Sequence, residues 1–229
     1  MSKITYYCSL EVRSWIDDND LHIPICSYVY EPAEDTWLAY RLLSKACKEV
    51  NADLCIDVGT GTGVLGLFCA NSCTDIRRII ATDINPCALY CAKSGFKRNG
   101  LDFLLDIVQC DKTSCLRGFS GVESAIIVYN TPYLPDRDEC QDTIDCLYSL
   151  SWSGGISEAL EVLREVNRLT VRGCAVLVFS SLSYPEGDSL AEIMKEIKSL
   201  KLLLREMIRD HFFFEDIYAI LVCNYDINS

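Results

Sequence analysis

The sequence predicts an α/β domain whose mostly parallel sheet is covered on both faces by helices, and three observations predict it. Short β-rich runs recur at spacings that leave room for a helix between them. A glycine-rich turn, "DVGTGTGVLG" at 57–66, stands where one of those runs hands over to a helical pattern. Near the end of the chain two further β-rich runs follow each other too closely for another crossover helix, which predicts an antiparallel pair. With 229 residues, half of them apolar, residues 1–229 fit one domain with a sizeable core.

The elements follow in order. Residues 1–30 mix apolar and acidic side chains without a clear period and read as extended structure leading into the helix "AEDTWLAYRLLSKACKEV", 33–50. The strand "LCIDV" 54–58 precedes the glycine turn and the helix "VLGLFCANS" 64–72. Next come the strand "RIIATD" 78–83 and a helix over 86–100, with Asn85 and Pro86 in cap and first-turn roles and Gly100 closing it. Strands "LLDIVQ" 104–109 and "AIIVYN" 125–130 follow. The connection 134–150 is charged and long, as a substrate-contacting or mobile loop would be. The pattern then predicts an amphipathic helix over 158–173 ending at Gly173, the strand "CAVLVFS" 174–180, a helix over 189–200, and the pair 201–210 and 214–223. No internal repeat or low-complexity linker appears.

Charge bounds the partners. The 33 acidic against 21 basic residues leave a formal charge of −12, which disfavours double-helical nucleic acid and suits either a basic protein substrate or simple solubility. The start "MSKITYYCSL" lacks a basic segment followed by a long apolar run, so the 14 cysteines read as reduced thiols of a cytosolic or nuclear protein. Cys69 and Cys73, like Cys87 and Cys91, stand one helical turn apart. Without further ligands nearby, and with His22 and His211 remote in sequence, they read as small buried apolar residues rather than a metal site. Apolar runs such as "IYAILVC" at 217–223 fall short of a membrane span.

Read from Gly61, the turn matches G-x-G-x-x-G through Gly63 and Gly66, with Asp83 at the end of the next strand; that is the dinucleotide fingerprint, and a nicotinamide-dependent dehydrogenase is one hypothesis it supports. Asp57 pulls the other way. Two residues before Gly59, it brings a carboxylate to the ligand site, awkward for a pyrophosphate and suited to the ammonium of an amino-acid moiety, so charge favours S-adenosylmethionine. Asp83 can accept from ribose hydroxyls in either cofactor. Asp111, after the third strand, could accept from an exocyclic adenine amine or cap the turn that follows.

With "DVGTGTG", "ATDINP", "QCD" and "YNTPYLP" in that order, the chain resembles class I S-adenosylmethionine-dependent methyltransferases, and most of all the HemK-type protein glutamine N5-methyltransferases. "VYEPAEDTWL" at 29–38 is similar to the opening motif of their eukaryotic branch, and "WSGG" at 152–155 to a family segment after the catalytic loop. The resemblance implies a Rossmann-like seven-stranded sheet in order 3-2-1-4-5-7-6 with only strand seven antiparallel. It places Thr36, Asp57, Gly59, Gly61, Gly63, Asp83, Asp111 and Asn130 at the cofactor, and Asn130, Thr131, Pro132 and Tyr133 at the acceptor. It implies S-adenosylmethionine as cofactor, S-adenosylhomocysteine as product and no metal in this chain. The implied substrate is the class 1 translation termination factor, methylated on the glutamine of its Gly-Gly-Gln motif in the cytoplasm. The implied partner is a small zinc-binding activator subunit in a heterodimer. Thr131 departs from the family's usual proline.

The stretch "VYNTPYLP" has a physical logic under that resemblance. A carboxamide nitrogen is a poor nucleophile and no ordinary side-chain base deprotonates it, so positioning carries much of the work. Asn130 Oδ1 and the Thr131 carbonyl are candidates to accept its two N–H groups and to stabilise charge developing on the nitrogen. Pro132 has no N–H to pair with a neighbouring strand, and Tyr133 offers a flat wall and an electron-rich face near a cation. The same loop could present an adenine amine of DNA or RNA, and lysine or small-molecule methylation and a non-catalytic subunit of the same fold are further readings. In the implied strand order 104–109 lies at a sheet edge, where an activator could add a strand or the chain's own loops could cover it.

Overall fold

The computed structural model describes residues 11–18, 20–117, 123–134 and 144–227. Two strands, β1 (Val12–Asp18) and β2 (Leu21–Cys26), form an antiparallel hairpin before α1 (Glu34–Glu49). Then follow β3 (Leu54–Val58), α2 (Val64–Ser72), β4 (Arg78–Asp83), α3 (Pro86–Arg98), β5 (Leu105–Gln109) and β6 (Ser124–Asn130). A short α4 (Ile144–Ser149), α5 (Ile156–Leu169), β7 (Arg172–Ser180), α6 (Ser189–Ser199), β8 (Leu203–Phe212) and β9 (Glu215–Cys223) complete the described chain. No helix among the described residues is long and apolar enough to cross a membrane.

Seven strands form one sheet in the order β5-β4-β3-β6-β7-β9-β8. Only β9 runs against the rest, pairing antiparallel with β7 and β8. This is the order and polarity that the resemblance implies. Chain order reverses between β3 and β6, so the loops leaving their C-terminal ends diverge and open a crevice there, as happens at the switch point of any doubly wound sheet.

Residue alternation along the strands sorts the core into two faces. Cys55, Ile126, Val128, Val176 and Leu221 point toward α1, α2 and α3. Ile56, Ile127, Leu177, Phe179 and Ile220 point toward α5 and α6. Both faces are dry, which is why the strands read as nearly continuous apolar runs. The hairpin β1–β2 lies on α3: Asn99 accepts from the His22 amide (2.9 Å) and donates to the His22 carbonyl (2.8 Å). Gly95 makes the approach possible, since a Cβ there would stand 2.8 Å from the Pro24 ring.

Three sequence expectations need correction. The helix expected over 158–173 stops at Leu169, because Thr170 turns extended (φ −131°, ψ 144°) and its hydroxyl caps the Val166 carbonyl at 2.6 Å. Gly173 is therefore a strand residue; a Cβ on it would collide with Thr170 Oγ1 at 1.8 Å, so it is glycine for close approach and not for a helix end. The connection 134–150 contains α4, with residues 135–143 outside those described.

The cysteines are not all isolated thiols either. Cys26–Cys91, Cys47–Cys73, Cys110–Cys115 and Cys174–Cys223 are disulfides. Cys55 and Cys69 are free and buried. Three of these pairs join residues on different elements, brought together by packing: Cys174 faces Cys223 because the β7–β9 register sets them opposite. Spacing along the chain carries no trace of such pairs.

Candidate active site

A cavity of about 700 Å³ opens at the C-terminal ends of β3, β4 and β6, where the strand order reverses. The turn after β3 forms one wall. Gly59, Gly61 and Gly63 all take positive φ (58°, 54° and 82°), which L side chains rarely adopt. At Gly63, the N-cap of α2, a Cβ would also sit 2.9 Å from the Ala92 backbone. Asp57 braces this turn from below. Its Oδ2 accepts from Thr60 Oγ1 at 2.6 Å and from the Gly66 amide at 3.0 Å, and Gly66 has no Cβ to block that bond. Burial pushes the Asp57 carboxyl up to about 7; the Thr60 and Gly66 bonds oppose the rise and the charge of Asp83 adds to it.

Asp83, at the end of β4, faces the same cavity. One oxygen accepts from the Gly61 amide at 3.0 Å and the other from the Asn85 amide at 2.8 Å. Burial raises it to about 6 against those bonds. Asp111 lies at the far end of the cavity in an Asp111–Ser114 turn. Residues 112–117 form a turn and coil and no helix, so the reading of Asp111 as a helix cap before Lys112, Thr113 and Ser114 does not hold. The Lys112 ammonium lies 3.3 Å from Asp111, 3.1 Å from Glu158 and 3.0 Å from Glu161. Glu158 in turn accepts from the Tyr129 hydroxyl at 3.1 Å, and the Tyr129 ring packs beneath Gly59. Neither Lys112 nor Glu158 stands out in the sequence, because charges on a turn and on a helix face read as solvated.

The segment after β6 makes the opposite wall. Asn130 Nδ2 donates to Thr36 Oγ1 at 3.2 Å, and Asn130 Oδ1 is buried without a hydrogen-bond partner among the described residues. The polarity of that amide is set one step further back. Thr36 Oγ1 donates its proton to Asp35 Oδ1 at 3.2 Å, leaving its lone pairs for the Asn130 amide nitrogen. Asp35, 3% exposed, also accepts from the Thr36 backbone amide (2.6 Å) and the Tyr30 hydroxyl (3.2 and 3.1 Å). Burial, with Asp35 beside them, drives both tyrosine hydroxyls well above their usual range, so they stay protonated donors. Asp35 was not among the sequence candidates; an acid in the first turn of α1 reads as a partner for the helix dipole.

Thr131 is held in place of the family proline by different means. Its amide and its hydroxyl both donate to the Val178 carbonyl on β7, at 3.3 and 2.7 Å. The loop anchor that a ring would supply through φ is supplied here by two hydrogen bonds. Pro132 and Tyr133 continue along the cavity wall, and Leu134 pairs with the chain at "WSGG": its amide donates to the Trp152 carbonyl at 2.7 Å and its carbonyl accepts from Gly154 at 3.0 Å. All the sequence-derived site residues except Gly63 line this one cavity; Gly63 sits behind it, at the start of α2.

A seven-stranded sheet with a reversed last strand, a glycine turn at the switch point and acids after the next two strands define a class I methyltransferase. Residues 38–149 match the methyltransferase small domain family. Over 181 residues the chain is 30% identical to the methyltransferase HEMK2 of Homo sapiens, covering 76% of this chain and 79% of that one. The chain belongs to the family of HEMK2. It is 32% identical over 127 residues to a protein provisionally named a protein N5-glutamine methyltransferase in Methanocaldococcus jannaschii, a match spanning 56% of this chain and 57% of that protein. Release factor glutamine methyltransferase of Deinococcus radiodurans is 36% identical over 105 residues, 46% of this chain and 35% of its own. Among solved structures, the M. jannaschii tRNA m1G37 methyltransferase superposes with a TM-score of 0.61 at 15% identity, covering 93% of this chain and 57% of that one. M. jannaschii TYW2 in complex with AdoMet superposes with a TM-score of 0.59 at 9% identity, covering 93% and 86%. At such identities the structural likeness speaks for the fold alone.

Proposed function

We propose that this methyltransferase modifies the side-chain amide nitrogen of a glutamine, and that its substrate is the Gly-Gly-Gln motif of the class 1 translation termination factor. The observation that carries the reading is the Asn130 carboxamide on the cavity wall: its nitrogen is tied to Thr36, and its oxygen is buried without a hydrogen-bond partner among the described residues. A buried acceptor left open costs about 1–3 kcal/mol unless a ligand satisfies it. A primary amide presents the complementary donors.

The cavity fits S-adenosylmethionine on the chemistry of its donor set. Asp83 suits ribose hydroxyls, Asp57 an ammonium, Asp111 an adenine amine, and the glycine turn admits backbone close to the ligand. When bound, that cofactor supplies an electrophilic methyl. The chain's own work is to hold the acceptor amide. Asn130 Oδ1 and the Thr131 carbonyl would take the two N–H groups, orient the amide plane, and stabilise positive charge as the N–C bond forms, the methyl–sulfur bond breaks and one N–H proton passes to solvent. Tyr133 closes the wall of the cavity and Pro132 turns the chain away from the sheet, keeping both acceptors free.

Incubating the protein with labelled S-adenosylmethionine and a purified class 1 termination factor should add one methyl group to the motif glutamine by mass spectrometry. Transfer to adenine in oligonucleotides instead would replace this reading with base methylation. A small activator subunit on the β5 edge is the accompanying proposal. Phe103, beside that strand, is 77% exposed and Ile107 within it 38%, an apolar edge suited to covering. Protein prepared without such a partner should be poorly soluble.

The buried acids give a pH test. Burial pushes the Asp57 carboxyl up to about 7, and only its ionised form pairs with an ammonium. Protonated below its pKa, it is without charge, so cofactor affinity should rise with pH, by roughly eightfold from about pH 6 to about pH 7.5. Calorimetric titration across that window checks the slope, and Asp57→Asn should flatten it. A flat profile in the wild type would remove Asp57 from the ammonium contact.

A further inference from the structure

We propose that the tip of the β8–β9 hairpin is the docking surface for the protein substrate, where the segment flanking the acceptor glutamine lays a cationic side chain across Phe213. The proposal rests on the glutamine reading above. Its first ground is the pair Phe213 and Phe214 at the turn, 92% and 93% exposed. Phe213 holds a positive φ of 49°, an unusual conformation for a bulky residue, and Phe212 beside it packs against the core. Two adjacent rings presented to water beside an active-site cavity mark an interaction face more often than a plain turn.

The second ground is continuity. A cleft of about 190 Å³ runs from Phe212 and Phe213 to Tyr133, and Tyr30, Asp35, Tyr133 and Glu215 line both this cleft and the main cavity. A segment lying over the hairpin tip therefore leads directly to the wall that carries Asn130. The third is charge. Glu34, Asp35 and Glu215 line the cleft, and none of them forms an ion pair with a described residue. The basic side chains near the hairpin tip are turned elsewhere: Arg209 and His211 both reach Asp216, at 3.5 and 2.9 Å. A lysine or arginine entering the cleft gains the face of Phe213 for its stem and the Glu34 and Glu215 carboxylates for its head.

Phe213→Ala/Phe214→Ala, two fully solvated substitutions, should raise KM for a purified class 1 termination factor at least tenfold. The kcat and the S-adenosylmethionine affinity should stay within about twofold. Glu34→Gln should raise KM for a Gly-Gly-Gln peptide flanked by arginine but not for one flanked by glutamate. A photo-crosslinking benzoylphenylalanine at position 213 should capture the glutamine-bearing segment of the factor whether or not turnover follows. Capture without methylation would sink the glutamine reading and leave the docking surface standing. Methylation with unaltered KM in the double variant and no capture would sink the docking surface alone. A change of oligomeric state in the double variant, with KM unaltered, would assign the tip to a second copy of the chain and overturn the proposal.

Discussion

Asn130→Ala is expected to lower kcat by about 10³-fold or more while leaving S-adenosylmethionine affinity within about tenfold, or about 1.4 kcal/mol. The side chain sits between the two halves of the site. Its nitrogen is satisfied by Thr36 whatever is bound, and its oxygen has nothing to bind among the described residues. Truncation therefore removes one of the two acceptors that aim the substrate amide, and the Thr131 carbonyl alone fixes neither the plane of the amide nor the approach of its nitrogen. Single-turnover methylation of a termination factor, with calorimetric cofactor binding on the same preparation, separates the two effects. A variant that still turns over at a tenth of the wild-type rate would discard acceptor positioning as the source of catalysis.

The second large effect belongs to residues that act through Asn130. Thr36→Val should lower kcat about 10²-fold, and Thr36→Ser should restore most of it. The serine keeps a hydroxyl that can donate to Asp35 and accept from Asn130; valine keeps only the shape. Without that acceptor the Asn130 amide loses its reason to point Nδ2 inward and can turn its oxygen away from the cavity. Asp35→Asn should act through the same chain, because a carboxamide nitrogen facing Thr36 lets the hydroxyl reverse and donate to Asn130. If the chain is real, Asp35→Asn and Thr36→Val combined should cost little more than either alone in a double-mutant cycle. Additive losses, with thermal stability falling in parallel, would mean that the two residues merely hold the start of α1 in place. A high-resolution structure of Asp35→Asn checks the flip without any assay.

Much of this fold was legible in the sequence because each strand of the parallel region is bounded by its own chemistry. Residues 54–58 end at the glycine turn, 78–83 end at the acid before Asn85 and Pro86, and 125–130 end at Asn130; the observed strands agree within a residue. Periodicity failed at Gly173, where a helix-ending signal was in fact a contact signal; the extended structure expected ahead of α1 holds over the described residues, as the β1–β2 hairpin. The disulfides were illegible for the same reason: Cys26–Cys91, Cys47–Cys73 and Cys174–Cys223 each span at least 26 residues and are brought together by packing.

The acceptor wall divides in the same way. The glycine turn, the acids Asp57, Asp83 and Asp111 at or near the ends of β3, β4 and β5, and the Asn-Thr-Pro-Tyr exit from a buried strand were all legible in the sequence, since those depend on local backbone conformation and on where a strand stops. Packing settles which atom of the Asn130 amide is tied to the protein, because that depends on a threonine 94 positions earlier and on the carboxylate beside it. Hydrogen-bond direction in a buried network is a property of all its members at once: Thr36 donates to Asp35 and accepts from Asn130 Nδ2, which leaves the Asn130 oxygen as the open acceptor. No single residue carries that polarity, and packing alone brings together the three that do.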